Sequence, residues 1–380
     1  MTSPVAGDSL GQVQTQRVRL FTDEELVLAG GAHLHDIDVA FETYGTLNAD
    51  ASNAVYICHA LTGDAHAAGW HPGARRPGWW DNLIGPGKPL DTDKFFVVCS
   101  NLLGGCQGTT GPSSVNPDTG HVWGLDFPLL ATADFVSVHR ALLRHLGIER
   151  LLAAVGGSLG GMQVLQWALD HPDDLAHAII IAASSRLTAQ NIAFSAVGRR
   201  AITDDPHFRN GQYAADHLIP GTGLSIARMM AHITYLSEDA FTEKFGRSIQ
   251  GEESRPGFGI DFAVESYLDH QAQTFVERFD ALSYLYLSRA MDYFDPFSTT
   301  DALEALRIRP VQFLVLSFSS DWRFSTQQSL RIVQHLEHAR LPVTFREITS
   351  AFGHDSFLLD DPAYHATLRA FLERAQEVGS

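Results

Sequence analysis

Cysteine is scarce in this 380-residue chain. Only Cys58, Cys99 and Cys106 occur, with no even framework and no C-x-x-C spacing, which argues against a disulfide scaffold and against a cysteine-bound zinc. Cys58 and Cys99 lie in apolar strand-like runs and read as core residues, whereas Cys106 sits in the glycine loop GGCQG, where a ligand could approach. Positive charge is short too: the formal net charge is −17, so no basic surface dominates and nucleic-acid binding is not expected. An anionic ligand would need a local cationic pocket. No apolar run reaches about 18 residues, and MTSPVAGDSLGQ has neither the charged nor the apolar region of a secretory signal. No membrane association is therefore expected, and the cytoplasm is the expected compartment. Repeats, low-complexity tracts and charge blocks are also lacking.

What the chain does have is a rhythm of short apolar runs. Ala54–Cys58, Phe95–Cys99, Leu151–Val155, Ala178–Ile181 and Val311–Leu316 lack strict alternation, as strands buried on both faces of a parallel sheet do. Helix-period stretches lie between several of them, such as Asp134–Leu146, with Gly147 as a stop signal. This alternation predicts an α/β fold with a mainly parallel central sheet flanked by helices. From Ser184 to Pro310 no strong strand candidate occurs, and helical patterns fill the gap at Thr188–Thr203, Gly223–Leu236, Ile260–Phe279 and Ala281–Tyr293. Such a gap far exceeds one crossover, so the expected organisation is a core in two parts, 1–184 and 306–380, with a helical lid inserted at 185–305. GPGKP (85–89) and EESRPGFG (252–259) read as loops.

One stretch carries chemistry on its face. Gly156-Gly-Ser158-Leu-Gly160 matches G-x-S-x-G between a strand ending at Val155 and a helix from about Leu159 through Leu169. That context turns the serine hydroxyl outward on a sharp bend where glycines leave room for neighbouring backbone. The alternative, a glycine turn cradling phosphate, has no P-loop lysine and no G-x-G-x-x-G to support it. A serine needs a base, and the base an orienting carboxylate, in the order Ser, Asp or Glu, His. Asp321 follows the run Val311–Leu316 by a short loop, and His354 follows the extended Val343–Ile348. Both fall just past strand ends. Other histidines, His139, His145 and His171 among them, read as surface or structural groups. An oxyanion hole would use the Leu159 N–H and, from the loop His59–Gly63, the Leu61 N–H. His59, Asp64, His66 and His71 invite a metal reading, but they lie along an irregular loop with no second ligand cluster, so no metal is expected.

With these residues in place, the sequence closely resembles the homoserine O-acyltransferases of the α/β-hydrolase fold. The resemblance runs through CHALTGDAHAAG (58–69), PGWWDNLIGPGKPLDT (77–92), NLLGGCQGTTGPSS (101–114), VGGSLGGMQ (155–163), AQNIAF (189–194), HITYLS (232–237), VESYLDHQ (264–271) and GHDSFL (353–358). It implies acyl transfer from coenzyme A to the hydroxyl of a small amino acid through an acyl-Ser158 intermediate. It also implies substrate contacts at Arg228, Tyr235 and Thr62, with Asp355 beside the catalytic histidine, no cofactor beyond the acyl-CoA substrate, and a homodimer joined through lid helices. The residues themselves place Arg228, His232 and Tyr235 at i, i+4 and i+7 on one helix face, opposite Ile226, Met230 and Ile233; on spacing alone that polar stripe could equally face solvent.

The acyl donor turns on Ser320-Asp-Trp-Arg-Phe324. This arrangement resembles members that use succinyl-CoA, whereas users of acetyl-CoA tend to carry an apolar residue where Arg323 stands. A succinyl group ends in a carboxylate that a guanidinium could meet; the alternative is a surface arginine packed on Trp322. Arg75 and Arg76 could meet coenzyme A phosphates or simply be an exposed pair. The expected activity is transfer of succinyl from succinyl-CoA to L-homoserine. Homoserine O-acetyltransferase, serine O-succinyltransferase, an esterase or thioesterase, and a non-catalytic binding protein are the alternatives.

Overall fold

The computed structural model describes residues 9–249, 258–298 and 303–379, so the loop expected at 252–259 lies almost wholly outside the described residues. Eight strands form one sheet: β1 (Gln16–Leu20), β2 (Ile37–Tyr44), β3 (Ala54–Cys58), β4 (Phe96–Ser100), β5 (Leu151–Gly157), β6 (Leu175–Ile181), β7 (Gln312–Phe318) and β8 (Val343–Ile348). Their spatial order is β1-β2-β4-β3-β5-β6-β7-β8. The pairs β1–β2 and β2–β4 are antiparallel, and every other pair is parallel. This is the α/β architecture expected from the alternation of apolar runs and helices. The two antiparallel strands had no such signal: β1 reads QRVRL and is largely exposed, and β2 reads IDVAFETY, with Asp38 and Thr43 beside the buried carboxylate of Glu42.

The parallel strands β3 to β7 are covered on both faces, which is why their sequences do not alternate in polarity, whereas β8 at the edge is largely exposed. Val55 and Ile57 join a cluster with Trp80, Tyr364 and Leu368, whereas Tyr56 and Cys58 join one with Phe135, Leu142 and Trp167. The covering helices include α1 (Thr132–His145) and α2 (Leu159–Asp170). Between β6 and β7 the described residues form no sheet strand. They hold α3 (Ala189–Thr203), α4 (Gly221–Tyr235), α5 (Glu238–Phe245), α6 (Ala263–Val276), α7 (Ala281–Asp292) and the short α8 (Glu304–Ile308). Helices α9 (Thr326–His338) and α10 (Pro362–Gly379) complete the chain.

Register decides where chemistry can gather. Cys58 stands opposite Gly156, Ile181 opposite both Gly157 and Leu316, and Ile348 opposite Phe318, so β3, β5, β6, β7 and β8 end along one edge. His59, Ser158, Asp321 and His354 all follow those ends. The inserted helices reach the same edge: Trp322 Nε1 donates to the Leu236 carbonyl at 3.1 Å, and Arg278 Nη1 to the Thr62 carbonyl at 3.0 Å.

Helix α4 buries Leu224, Ala227 and Ala231 but not its isoleucines. Its apolar residues Ile226 and Ile233 are exposed, at 43% and 44%, while His232 on the opposite stripe is buried. The polar stripe faces inward.

Candidate active site

Ser158 sits at the junction of β5 and α2 with φ 59° and ψ −123°, a conformation that L residues rarely adopt. The strand-to-helix reversal forces it, and Ser158 N–H is tied to the Ile181 carbonyl at 2.9 Å. A serine before a helix commonly caps it, yet this side chain makes no capping bond. Its hydroxyl donates instead to His354 Nε2 at 2.9 Å, and His354 Nδ1–H donates to Asp321 Oδ2 at 2.7 Å. The second Asp321 oxygen accepts the Phe324 N–H at 2.8 Å. All three side chains are buried, and Phe324 and Phe357 flank the imidazole with ring centroids at 4.9 and 5.4 Å. Water is thereby kept from the histidine–carboxylate pair.

The glycine after Leu159 has a plain steric reason. A Cβ on Gly160 would lie 2.0 Å from the Cys58 carbonyl oxygen, so any side chain there would push α2 away from β3. That close approach brings the loop after β3 beside the serine. Neither the Leu61 nor the Leu159 N–H donates to a described residue, which leaves both free for an oxyanion. Their loops are cross-linked by a buried polar chain. Gln163 Nε2 donates to the carbonyls of His59 and Leu159 at 3.0 and 3.2 Å, His139 Nε2 meets Gln163 Oε1 at 2.9 Å, and Tyr56 Oη meets His139 Nδ1 at 2.9 Å. His59 Nε2 accepts the Leu102 N–H at 3.1 Å, so its Nδ1–H donates to the Ala60 carbonyl at 2.7 Å. Burial holds His59 below the usual histidine range and His139 down to about 4, so both rings are neutral anchors. His139 is therefore a structural histidine and not a surface one.

The groups implied for substrate contact come from both sides of the site, Arg228 and Tyr235 from α4 and Asp355 and Thr62 from loops past strand ends. Tyr235 places its ring 5.9 Å from that of His354. The Arg228 guanidinium lies 5.8 Å from the Tyr235 ring and 4.6 Å from the Phe275 ring, and its Nε and Nη1 are buried without a hydrogen-bond partner among the described residues. Asp355, next in chain to His354, has no hydrogen-bond partner among them either; burial pushes its carboxyl up, against the pull of His354 and Arg228. Thr62 presents its carbonyl to Arg278. Arg278 was missed at the sequence level, because nothing about a residue just past a helix end announces that it reaches a loop more than two hundred positions away.

Arg323 is not a surface arginine. It is 7% exposed, its Nη1 donates to Thr234 Oγ1, and its guanidinium carbon lies 5.4 Å from the Tyr235 ring. Trp322 turns away toward Phe194, with ring centroids 5.8 Å apart, so the packing of Arg323 on Trp322 is not what the structure contains. Arg75 and Arg76 stand on an exposed loop. Cys106 packs against Asp280, whose N–H it accepts at 3.4 Å, and burial lifts its thiol to about 11, which leaves little thiolate at neutral pH.

The histidines of the loop after β3 do not gather as a set of four. His66 and His71 meet Glu42 instead, at 3.1 and 2.7 Å, with Thr15 and Tyr44 hydroxyls donating to the same carboxylate at 2.8 Å each. Such distances are those of direct hydrogen bonds, shorter than ligand atoms keep around a shared ion at about 2 Å from each. The cluster binds the loop to β2, and the hydrogen bonds hold the Glu42 carboxyl below its usual range despite its burial.

Residues 53–361 match the family described as alpha/beta hydrolase fold. The chain is 56% identical over 365 residues to the homoserine O-succinyltransferase of Nocardioides sp., covering 96% of this chain and 99% of that one. To the homoserine O-acetyltransferase of Rhodospirillum rubrum it is 51% identical over 370 residues, covering 97% and 95%. The crystal structure of esterase E22 superposes with a TM-score of 0.85 at 30% identity, covering 95% of this chain and 100% of that one.

Proposed function

The chain belongs to the homoserine O-acyltransferases of the α/β-hydrolase fold, and from that membership we propose that it transfers succinyl from succinyl-CoA to L-homoserine, giving O-succinyl-L-homoserine and coenzyme A. One observation supports this reading above the rest: the hydrogen-bonded line Ser158–His354–Asp321 lies beside Tyr235, against which stands an Arg228 guanidinium whose Nε and Nη1 have no hydrogen-bond partner among the described residues. A hydrolase needs the line but has no use for an amino-acid clamp.

In the first half-reaction His354 accepts the Ser158 proton as the oxygen attacks the thioester carbonyl. The Leu61 and Leu159 amides hold the oxyanion, where one lost donor typically costs about 10²- to 10³-fold in rate. The tetrahedral adduct collapses, and His354 returns the proton to the departing coenzyme A sulfur. In the second half-reaction His354 takes the proton of the homoserine hydroxyl, whose oxygen attacks the acyl-Ser158 ester; Ser158 then leaves and is reprotonated. Arg228 holds the acceptor's α-carboxylate, Asp355 its α-ammonium, and Tyr235 and Thr62 border it. Exclusion of water by the inserted helices protects the acyl-enzyme between the two halves.

For the donor, similarity to relatives weighs little, since succinyl and acetyl enzymes stand almost equally near. Arg323 tips the choice. Buried beside Tyr235, it can meet the far carboxylate of a succinyl group, and a hydrogen bond to a charged group is worth about 1.5–3 kcal/mol. The test is thiol release from succinyl-CoA and acetyl-CoA, each with L-homoserine, L-serine or no acceptor. Release is expected to be fastest with succinyl-CoA and homoserine. Preference for acetyl-CoA would overturn the donor, preference for serine the acceptor, and release independent of any acceptor would mark a thioesterase. We also infer a cytoplasmic homodimer that buries the outward Ile226 and Ile233 of α4; a monomeric mass in solution would contradict it.

A further inference from the structure

Helix α4 carries a third buried nitrogen with nothing to bind. Besides Arg228 Nε and Nη1, His232 Nε2 has no hydrogen-bond partner among the described residues, and the His232 side chain is 5% exposed. The two residues are four apart, so their side chains leave the same face one turn from each other. Buried polar atoms are normally paired, and a phenylalanine or leucine would fill the space of an imidazole without leaving one orphaned. Three such nitrogens on one stripe, facing inward under exposed Ile226 and Ile233, indicate an occupant that supplies the missing acceptors.

The surroundings state which chemistry that occupant has. His232 Nδ1 lies 3.4 Å from Tyr267 Oη, and the rings of Tyr235 and Tyr267 stand edge-on to the imidazole at 5.7 and 5.8 Å. With the Tyr267 hydroxyl donating to Nδ1, the proton of the neutral ring is on Nε2, and the orphan is a donor. Burial first, and then the charges of Arg228, Lys244 and Arg278, oppose a positive charge on the ring. Tyr235 is shared ground: the His232 ring at 5.7 Å, the Arg228 guanidinium at 5.8 Å and the ring of His354, the neighbour of Asp355, at 5.9 Å all stand against it. A donor-only lining of guanidinium and imidazole N–H fits an anion with two oxygens.

We propose that His232, through Nε2–H, is a second binding group for the α-carboxylate of the acceptor, alongside Arg228. The inference deepens the acceptor reading given above and rests on it. It makes His232 a determinant of acceptor choice with no part in acylation of Ser158, because that half-reaction proceeds before the amino acid is bound.

The experiment compares wild type with His232→Phe and His232→Gln in the two half-reactions. Thiol release from succinyl-CoA without acceptor reads the first, and the KM for L-homoserine and for 3-amino-1-propanol, which lacks the carboxylate, reads the second. Loss of a hydrogen bond to a charged group predicts that His232→Phe raises the homoserine KM about 10- to 100-fold, leaves the acceptor-free burst within about threefold of wild type, and narrows the preference for homoserine over the amino alcohol by a similar factor. His232→Gln, which keeps a donor, should recover most of that preference. An unchanged homoserine KM in His232→Phe would overturn the proposal, and so would an equal loss of the burst and of both acceptors, which is the mark of a merely structural residue. Failure of wild type itself to use homoserine would instead strike the reading underneath, and it is seen before any variant is made.

Discussion

On the proposed reading Arg323 is the single side chain that sets a donor preference the fold leaves open. Its guanidinium is held by Thr234 on one side and by packing against Tyr235 and Phe324 on the other, while its own carbonyl accepts Asn191 Nδ2 and Gln328 Nε2 at 2.8 and 3.0 Å. So restrained, it offers a charge in a fixed place. Arg323→Leu is expected to lower kcat/KM for succinyl-CoA about 10- to 100-fold and for acetyl-CoA much less, a contrast read from thiol release with both donors. Equal losses would remove its role. At this scale the sequence was informative where a residue type is rare in its setting: a serine among four glycines, an aspartate and a histidine just past strand ends. It was silent about Arg278, Gln163 and Glu42, whose partners are distant in the chain, and whose types occur on any surface. Contacts of that kind follow from the folded arrangement and leave no periodic trace.

The bend from β5 into α2 is the element on which the chemistry depends, and it carries backbone strain at a residue that cannot be glycine. A non-glycine residue held at φ 59° and ψ −123° costs on the order of 1–3 kcal/mol. Ser158→Gly and Ser158→Ala both remove the hydroxyl and both should abolish transfer, but only the first relieves the backbone. The glycine variant is therefore expected to be about 1–2 kcal/mol more stable than the alanine variant in urea unfolding, the reverse of the order on an ordinary helix or strand. Greater stability of the alanine variant would show that no such strain exists. Elements buried on both sides were legible in advance, since β3 to β7 are mostly apolar, with few polar interruptions such as His177 and Gln312. The antiparallel strands β1 and β2 and the short α5 were not, because their residues are mixed and their placement is decided by what they pair with. Spacing alone also left the facing of α4 undecided, and its exposed isoleucines run against the usual rule that the apolar stripe turns inward.

Across the whole molecule, buried neutral histidines tie stability to pH. His139 titrates near 4 and His232 near 3 in the folded protein, whereas an unfolded histidine does so near 6.5. Below about pH 6.5 the unfolded chain therefore binds more protons than the folded one, and stability present above that pH is lost as the pH falls toward 4 and then 3. At pH 5 the loss is on the order of 2 kcal/mol for each ring. Glu42 adds to the trend at lower pH, since its depressed carboxyl contributes stability above the usual carboxylate range that fades as the pH drops through its folded value. Calorimetry should accordingly show Tm falling steadily from pH 7 to pH 4; a flat profile over that interval would contradict the neutral assignment of both rings.

The proposed acylation machinery and the proposed acceptor clamp belong to different parts of this architecture. Ser158, Asp321, His354 and the two free amides are fixed to strand ends and cross-linked below by Gln163, whereas Arg228, His232 and Tyr235 ride on α4. Asp355 stays with the strands. On the proposed reading a bound amino acid is grasped at one end from α4 and at the other from a strand end, and so acts as a staple across the seam between them. An alcohol with only one of those ends would leave the seam unfastened, and the ester on Ser158 would then face whatever nucleophile the solvent provides.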